Sequence, residues 1–156
     1  MCYQCNYAHL LENSGLGSTL NRLKILEVIG NNNYPLNPRE IIDILSRSID
    51  INRVTVYRIL DLLVEKKLID RISSGGRSFH YGLAPNEHHQ PHPHFYCREC
   101  GSMECLNPES LHLDIKPLNR TFPGLIDNVQ VCLDGICKNC LKNEEIKGSR
   151  KNKFTF

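Results

Sequence analysis

Two C-x-x-C pairs, Cys97-Arg-Glu-Cys100 and Cys137-Lys-Asn-Cys140, restrict what the second half of this chain can fold into. Four thiolates at that spacing match tetrahedral zinc, which takes sulfur at about 2.3 Å and leaves no open position in a structural site. The competing reading is a pair of redox-active dithiols. It would need a motif that opens a helix after a strand, and the sequence suggests neither does so. The start, "MCYQCNYAHLL", lacks the basic and apolar regions of a secretory signal, and no long uncharged apolar run occurs. A cytoplasmic protein without a membrane partner is therefore expected. There, eight cysteines are poor candidates for structural disulfides.

The first knuckle is embedded in "HPHFYCRECG", which adds His92 and His94 two residues apart. In an extended segment residues i and i+2 face the same side, so both imidazoles can converge on one ion. His88 and His89 lie just upstream and Glu104 just past the knuckle. Together they offer nitrogen and oxygen ligands for Zn²⁺, Fe²⁺, Mn²⁺ or Ni²⁺ as a second, regulatory metal. A solvated polar loop with adventitious metal affinity is the alternative.

Composition shifts at Pro85, with six of the eight cysteines and five of the seven histidines beyond it. Residues 1–84 read as one small domain, the proline-bounded "PNEHHQP" of 85–91 as a hinge, 92–141 as a second domain, and 142–156 as a basic, flexible tail. In the first domain Thr19 can cap a helix carrying "LNRLKILEVIG" that stops at Gly30. Asn37-Pro38-Arg39-Glu40 forms the signature of a capping box with proline at the first helical position. A third helix begins near Asn52, with Val56, Ile59, Leu60, Leu63 and Val64 as its buried stripe. Arg58 then points away from the core, with Arg53, Val54, Thr55 and Tyr57 near the same outer, amino-terminal face. "LIDRI" and "SFHYGL" read as two strands around a Gly75-Gly76 turn.

Three helices and a two-stranded wing form the layout of a winged helix-turn-helix. Its third helix would enter the major groove of double-stranded DNA with Arg53, Thr55, Tyr57 and Arg58. The formal charge of +2 implies no nucleic acid by itself, so that expectation rests on the order of elements. Beyond the hinge, "HFYC" and "MECL" read as strands, Asn107-Pro108-Glu109 as the start of a brief helix through Leu113, and "NVQVCL" as an alternating strand. The fold class is α+β: a winged helix followed by a small α/β domain too small to be stable without a metal or a partner subunit.

"STLNRLKILEVI", "INRVTVYRILDLL", "HPHFYCRECG" and "DGICKNC" resemble, in order and spacing from Thr19 to Cys140, the ferric uptake regulator family of bacterial metal-responsive repressors. The resemblance implies a homodimer on a palindromic operator, with Tyr57 and Arg58 on DNA. It also implies structural zinc on Cys97, Cys100, Cys137 and Cys140, and His92 and His94 in a sensing site beside the hinge. The chain departs from the family where a histidine usually closes the hinge site, here Pro35. It departs again where the strand before the hinge carries a ligand, here Gly82 or, shifted, His80. Val129 stands where the family's second site usually draws a ligand. Cys105 stands close to the place of an acidic ligand, with Glu104 beside it. Cys2, Cys5 and His9 can share a helix face and supply a metal site, or belong to a mobile terminus with free thiols. Cys132 reads as a sheet filler.

Metal-dependent repression of metal-homeostasis genes is thus the expected function, not an enzymatic one. A redox- or peroxide-responsive regulator of the same fold is the alternative, although no Asp lies between Arg71 and Arg98 to serve a peroxide site. A zinc-dependent hydrolase with Glu104 as base is a distant third.

Overall fold

The computed structural model describes residues 5–75 and 78–146. Cys2, Gly76 and residues 147–156 of the tail lie outside the described residues. Helix α2 spans Leu20–Gly30, α3 Pro38–Leu45 and α4 Arg53–Glu65. The Asn37 side chain accepts from the Glu40 N–H while Glu40 accepts from the Asn37 N–H, so the capping box closes in both directions. Asn52 caps α4 by accepting from the Val54 N–H at 2.7 Å. Thr19 occupies the cap position of α2 but its side chain makes no capping bond.

A further helix, α1 (Tyr7–Asn13), precedes these three, capped by the Asn6 side chain. Tyr7 and Leu11 are buried in the same core as Ile25, Leu26, Leu60 and Leu63. The mobile-terminus expectation therefore fails from Asn6 onward. Gly30 admits this docking: a Cβ there would lie 2.5 Å from the Tyr7 ring, closer than any side chain tolerates.

The wing pairs β1 (Ile69–Ser73) with β2 (Phe79–Leu83) antiparallel, with Asp70 opposite Gly82 and Ile72 opposite His80. Because cross-strand partners share a face, the ribbon has two dissimilar sides. Ile69, Tyr81 and Leu83 close the winged-helix core, and Arg71 on that side pairs with Asp61 of α4. Asp70, Ile72, Gly82 and His80 face the other way, toward the hinge and the second half of the chain. A bridge between Leu36 and Tyr81 ties the α2–α3 turn to the wing.

Beyond the hinge, strands β3 (His94–Cys97), β4 (Met103–Cys105) and β5 (Cys132–Gly135) form a sheet in the order β4-β3-β5. β3 runs antiparallel to β4 and parallel to β5. Three expectations need correction here. Asn107-Pro108-Glu109 starts only a 3-10 turn ending at Ser110, and the next helix, α5, lies at Lys116–Thr121. With every side chain from 108 to 113 exposed, that stretch has no apolar face to extend the turn. The alternating "NVQVCL" pairs only from Cys132, because the four-residue β3 offers no partner before it. Helix α6 runs Lys138–Ile146, across the expected start of the tail at 142. No helix among the described residues is long and apolar enough to cross a membrane.

Candidate metal centres and nucleic-acid face

Gly101 adopts a left-handed φ of 73°, which folds the first knuckle back so that its N–H donates to the Cys97 carbonyl at 2.9 Å. Cys137 lies just beyond β5 and immediately before α6, so the second knuckle does open a helix after a strand, contrary to the sequence expectation. The dithiol reading yields instead to convergence of all four sulfurs. The thiols of Cys97, Cys100, Cys137 and Cys140 lie within 4.8 Å of one another, with Cys100 and Cys137 at 3.9 Å. Tetrahedral zinc with sulfur at about 2.3 Å places its ligands about 3.8 Å apart. Burial alone would raise the Cys97 thiol, but N–H groups of Cys100, Cys137 and Glu99 directed at its sulfur bring it down to about 6. Cys140, hydrogen-bonded to the Cys137 sulfur, is pushed up to about 12. Four crowded thiols cannot all ionise without a cation between them, and the cluster suits a structural zinc ion.

A second cluster forms where the hinge enters β3. Donor atoms of His92, His94 and Cys105 lie within 4.8 Å of one another. His94 and Cys105 are cross-strand partners and so share a face. His92 Nδ1 lies 2.9 Å from the Gln90 carbonyl, an acceptor only, so that nitrogen carries the proton. Its Nε2 is buried, with its lone pair available and no hydrogen-bond partner among the described residues. This arrangement prepares an imidazole to coordinate a metal. His94 is pushed down to about 4 by burial and then by the neighbouring His92 and His89 imidazoles. The His89 ring stands edge-on to His92 at 4.9 Å, and His92 lies 4.7 Å from His94.

These groups line a cavity of about 360 Å³ that is also lined by Asp70, Ile72 and Gly82 of the wing and by Pro35 of the α2–α3 turn. Burial raises the Asp70 carboxyl, and its electrostatic interaction with the His92 ring offsets part of that rise. Asp70 carries no motif in the sequence, although its place opposite Gly82 would have shown that it faces the hinge. Gln90, which orients His92, was equally unmarked.

Other candidates fall elsewhere. Glu104 pairs with Phe95 and is exposed on the sheet face opposite His94 and Cys105, so it does not join the cluster. His88 is exposed, its backbone held by the Asn86 side chain. His80 is buried edge-on to Tyr96 at 5.8 Å and stands apart from the hinge donors. Burial lowers its pKa, and the Gly101 backbone and Glu40 pull it partly back. Cys5 lies 3.9 Å from the Asn86 side chain and His9 is exposed beside Asn13, so neither enters a donor cluster among the described residues. Cys132 pairs with His94 from the β5 side without joining the donors.

On the winged helix, Val56, Leu60 and Leu63 are fully buried beneath α4 while Val54, Tyr57, Arg53 and Arg58 are exposed along its outer face and Thr55 is half-buried. Tyr57 also borders a surface groove with Arg39, Asn37 and Phe79, between the start of α3 and the wing. Arg39 is exposed there and is a cation that reasoning about α4 alone overlooks.

Comparison with known proteins agrees with this geometry. The ferric uptake regulator family model matches residues 13–117. The ferric uptake regulation protein of Yersinia pestis is 28% identical over 144 residues, covering 90% of this chain and 95% of that protein. That of Bacillus subtilis is 31% identical over 94 residues, covering 60% and 63%. Among solved structures, the Vibrio cholerae ferric uptake regulator superposes with a TM-score of 0.65 at 24% identity, over 85% of this chain and all of that one. A zinc uptake regulator complexed with zinc and DNA superposes with a TM-score of 0.59 at 19% identity, over 88% and 91%. The family model spans most of the chain, and the chain belongs to the ferric uptake regulator family of metal-responsive transcription regulators.

Proposed function

We propose that this protein is a cytoplasmic, metal-dependent repressor of metal-homeostasis genes that binds a palindromic operator as a homodimer when its hinge site is loaded. The observation that carries the reading is the convergence of donor atoms of His92, His94 and Cys105 within 4.8 Å of one another, with the His92 Nε2 buried and without a hydrogen-bond partner among the described residues. Residues 1–84 would serve as the DNA-binding unit, 85–91 as hinge and 92–141 as dimerisation and metal-binding unit, with α6 extending into 142–146. Leu113, Leu118, Phe122 and Leu125 of the second unit are large apolar side chains exposed in the single chain, and a second copy of this chain would cover them.

His92, His94 and Cys105 would hold the regulatory metal from the sheet side. Asp70 is the one carboxylate that the wing presents to the same cavity among the described residues, and its charge would draw the wing toward a loaded site. Closure of this kind biases the pair of winged helices toward one spacing, so that a loose population and an operator-competent one differ in metal affinity. Arg53, Thr55, Tyr57 and Arg58 would contact the operator, and Arg39 adds a phosphate contact beside them.

The test is titration of the full chain. With weakly held metal removed by a mild chelator and the knuckle zinc left in place, operator binding is followed by fluorescence anisotropy as Zn²⁺, Fe²⁺, Mn²⁺ or Ni²⁺ is added singly. One metal restores sequence-specific binding in the proposed mechanism. Operator affinity indifferent to all four would remove the hinge cluster from regulation.

A further inference from the structure

The donors gathered at the hinge differ in kind from those of an oxygen-rich iron or manganese site. Resting on the reading of His92, His94 and Cys105 as a regulatory centre, we infer that this centre is a zinc-selective site of three imidazoles and one thiolate, completed by His89.

His89 is half-buried, its ring perpendicular to that of His92, and it lines the same cavity as the other three donors. The turn that carries it is fixed by paired backbone bonds between Asn86 and His89. His94 and Cys105 are fixed by strand pairing and His92 by the Gln90 carbonyl, so each of the four donor residues is held by its own backbone restraint. Nitrogen and thiolate donors in a four-coordinate arrangement suit Zn²⁺, whereas Mn²⁺ favours carboxylate and water in an octahedron.

The oxygen ligands that would shift this preference are turned away or set back. Glu104 faces the opposite side of the sheet, and Asp70 and Asp127 line the cavity outside the compact cluster, without the ring contact that ties His89 to His92. Pro35 and Gly82 cannot donate, and they pack on each other: a Cβ on Gly82 would lie 3.6 Å from Pro35 Cγ. What remains on the wing side is the charge of Asp70, which offsets that of a divalent ion held by neutral imidazoles and a single thiolate.

The experiment uses the full chain with one zinc retained in the knuckle and Co²⁺ added as a spectroscopic probe. The expected spectrum has the intense visible bands of tetrahedral cobalt and a near-ultraviolet sulfur-to-cobalt band that Cys105→Ser abolishes. By competition, Zn²⁺ is held roughly a hundredfold or more tighter than anaerobic Fe²⁺ or Mn²⁺, and Cys105→Asp narrows that gap roughly tenfold or more. His89→Ala retains the sulfur band, loses tetrahedral intensity and weakens Zn²⁺ by roughly 10- to 100-fold. A hinge spectrum indifferent to Cys105, or comparable affinities for Zn²⁺ and Mn²⁺, overturns the inference. Folding of each variant is checked by the retained knuckle zinc and the unchanged far-ultraviolet spectrum.

The two readings fail separately. If Fe²⁺ or Mn²⁺ restores operator binding and the sulfur band is absent, the switch stands and zinc selectivity falls. If the cobalt spectrum and selectivity are as stated while operator binding ignores zinc, the site stands and its regulatory role falls.

Discussion

Between Tyr7 and Leu83, apolar side chains from four helices and the wing close over one continuous core, whereas after His92 only Pro93, Cys97 and Met103 are buried among the described residues. The first half therefore gains its stability from apolar burial, at about 25 cal/mol per Å² removed from water. The second half has little such area and depends on ligands that converge on a cation. One half is encoded by periodicity and the other by spacing, and each should fail when its own means of support is removed.

The largest effect is expected at the knuckle. Cys97→Ser or Cys140→Ser should unfold the second half, because structural zinc in small domains contributes on the order of 10 kcal/mol. Hydrogen exchange should still show protected amides in α2 and α4. Equal loss of protection in both halves would show that the winged helix leans on the zinc domain. The reciprocal substitution is Leu60→Ala, expected to cost about 2–5 kcal/mol. Chemical denaturation should then show the first half melting early while zinc content stays at its starting ratio.

Tyr57→Ala combined with Arg58→Ala separates surface from core. Operator affinity should fall by about 1–3 kcal/mol for each of the two side chains removed, with dimerisation and zinc content unchanged. Unchanged affinity would remove α4 from the groove.

A smaller effect, at the boundary between the halves, comes from His80. Burial lowers its folded pKa below the ordinary value of 6.5, so on acidification the unfolded chain takes up the proton first. Its contribution to stability is present above about pH 6.5 and is lost as the pH falls through the depressed folded value. Urea midpoints measured at pH 7.5 and 5 should differ less in His80→Leu than in the parent. The smallest change is local to α3: Asn37→Ala removes half of the capping box and should cost about 1 kcal/mol in thermal unfolding.

What was legible in the sequence follows the same division. Helices α2 to α4 announce themselves through caps and repeated apolar positions, and the knuckles through cysteine spacing. Helix α1 was harder to see because two anchors, Tyr7 and Leu11, hold it, and the socket for one of them is an absent side chain at Gly30. The hinge ligands were half legible. Alternation in "MEC" sets Cys105 on the same face as Met103, opposite His94, and turns Glu104 to the other face, whereas proximity to the knuckle alone points to the carboxylate. Asp70 and Gln90 could not be read from motifs, since their roles come from strand register and from a backbone carbonyl.

The two-sided wing limits how the gene can vary. A single residue inserted within Ile69–Ser73 or Phe79–Leu83 would exchange the faces of that strand, exposing core positions and turning Asp70 or Gly82 away from the cavity. Added length in the connection between Ser73 and Phe79 would leave the register of both strands unchanged. Descendants of this sequence can therefore lengthen the tip of the wing freely, while its two five-residue strands stay fixed in length.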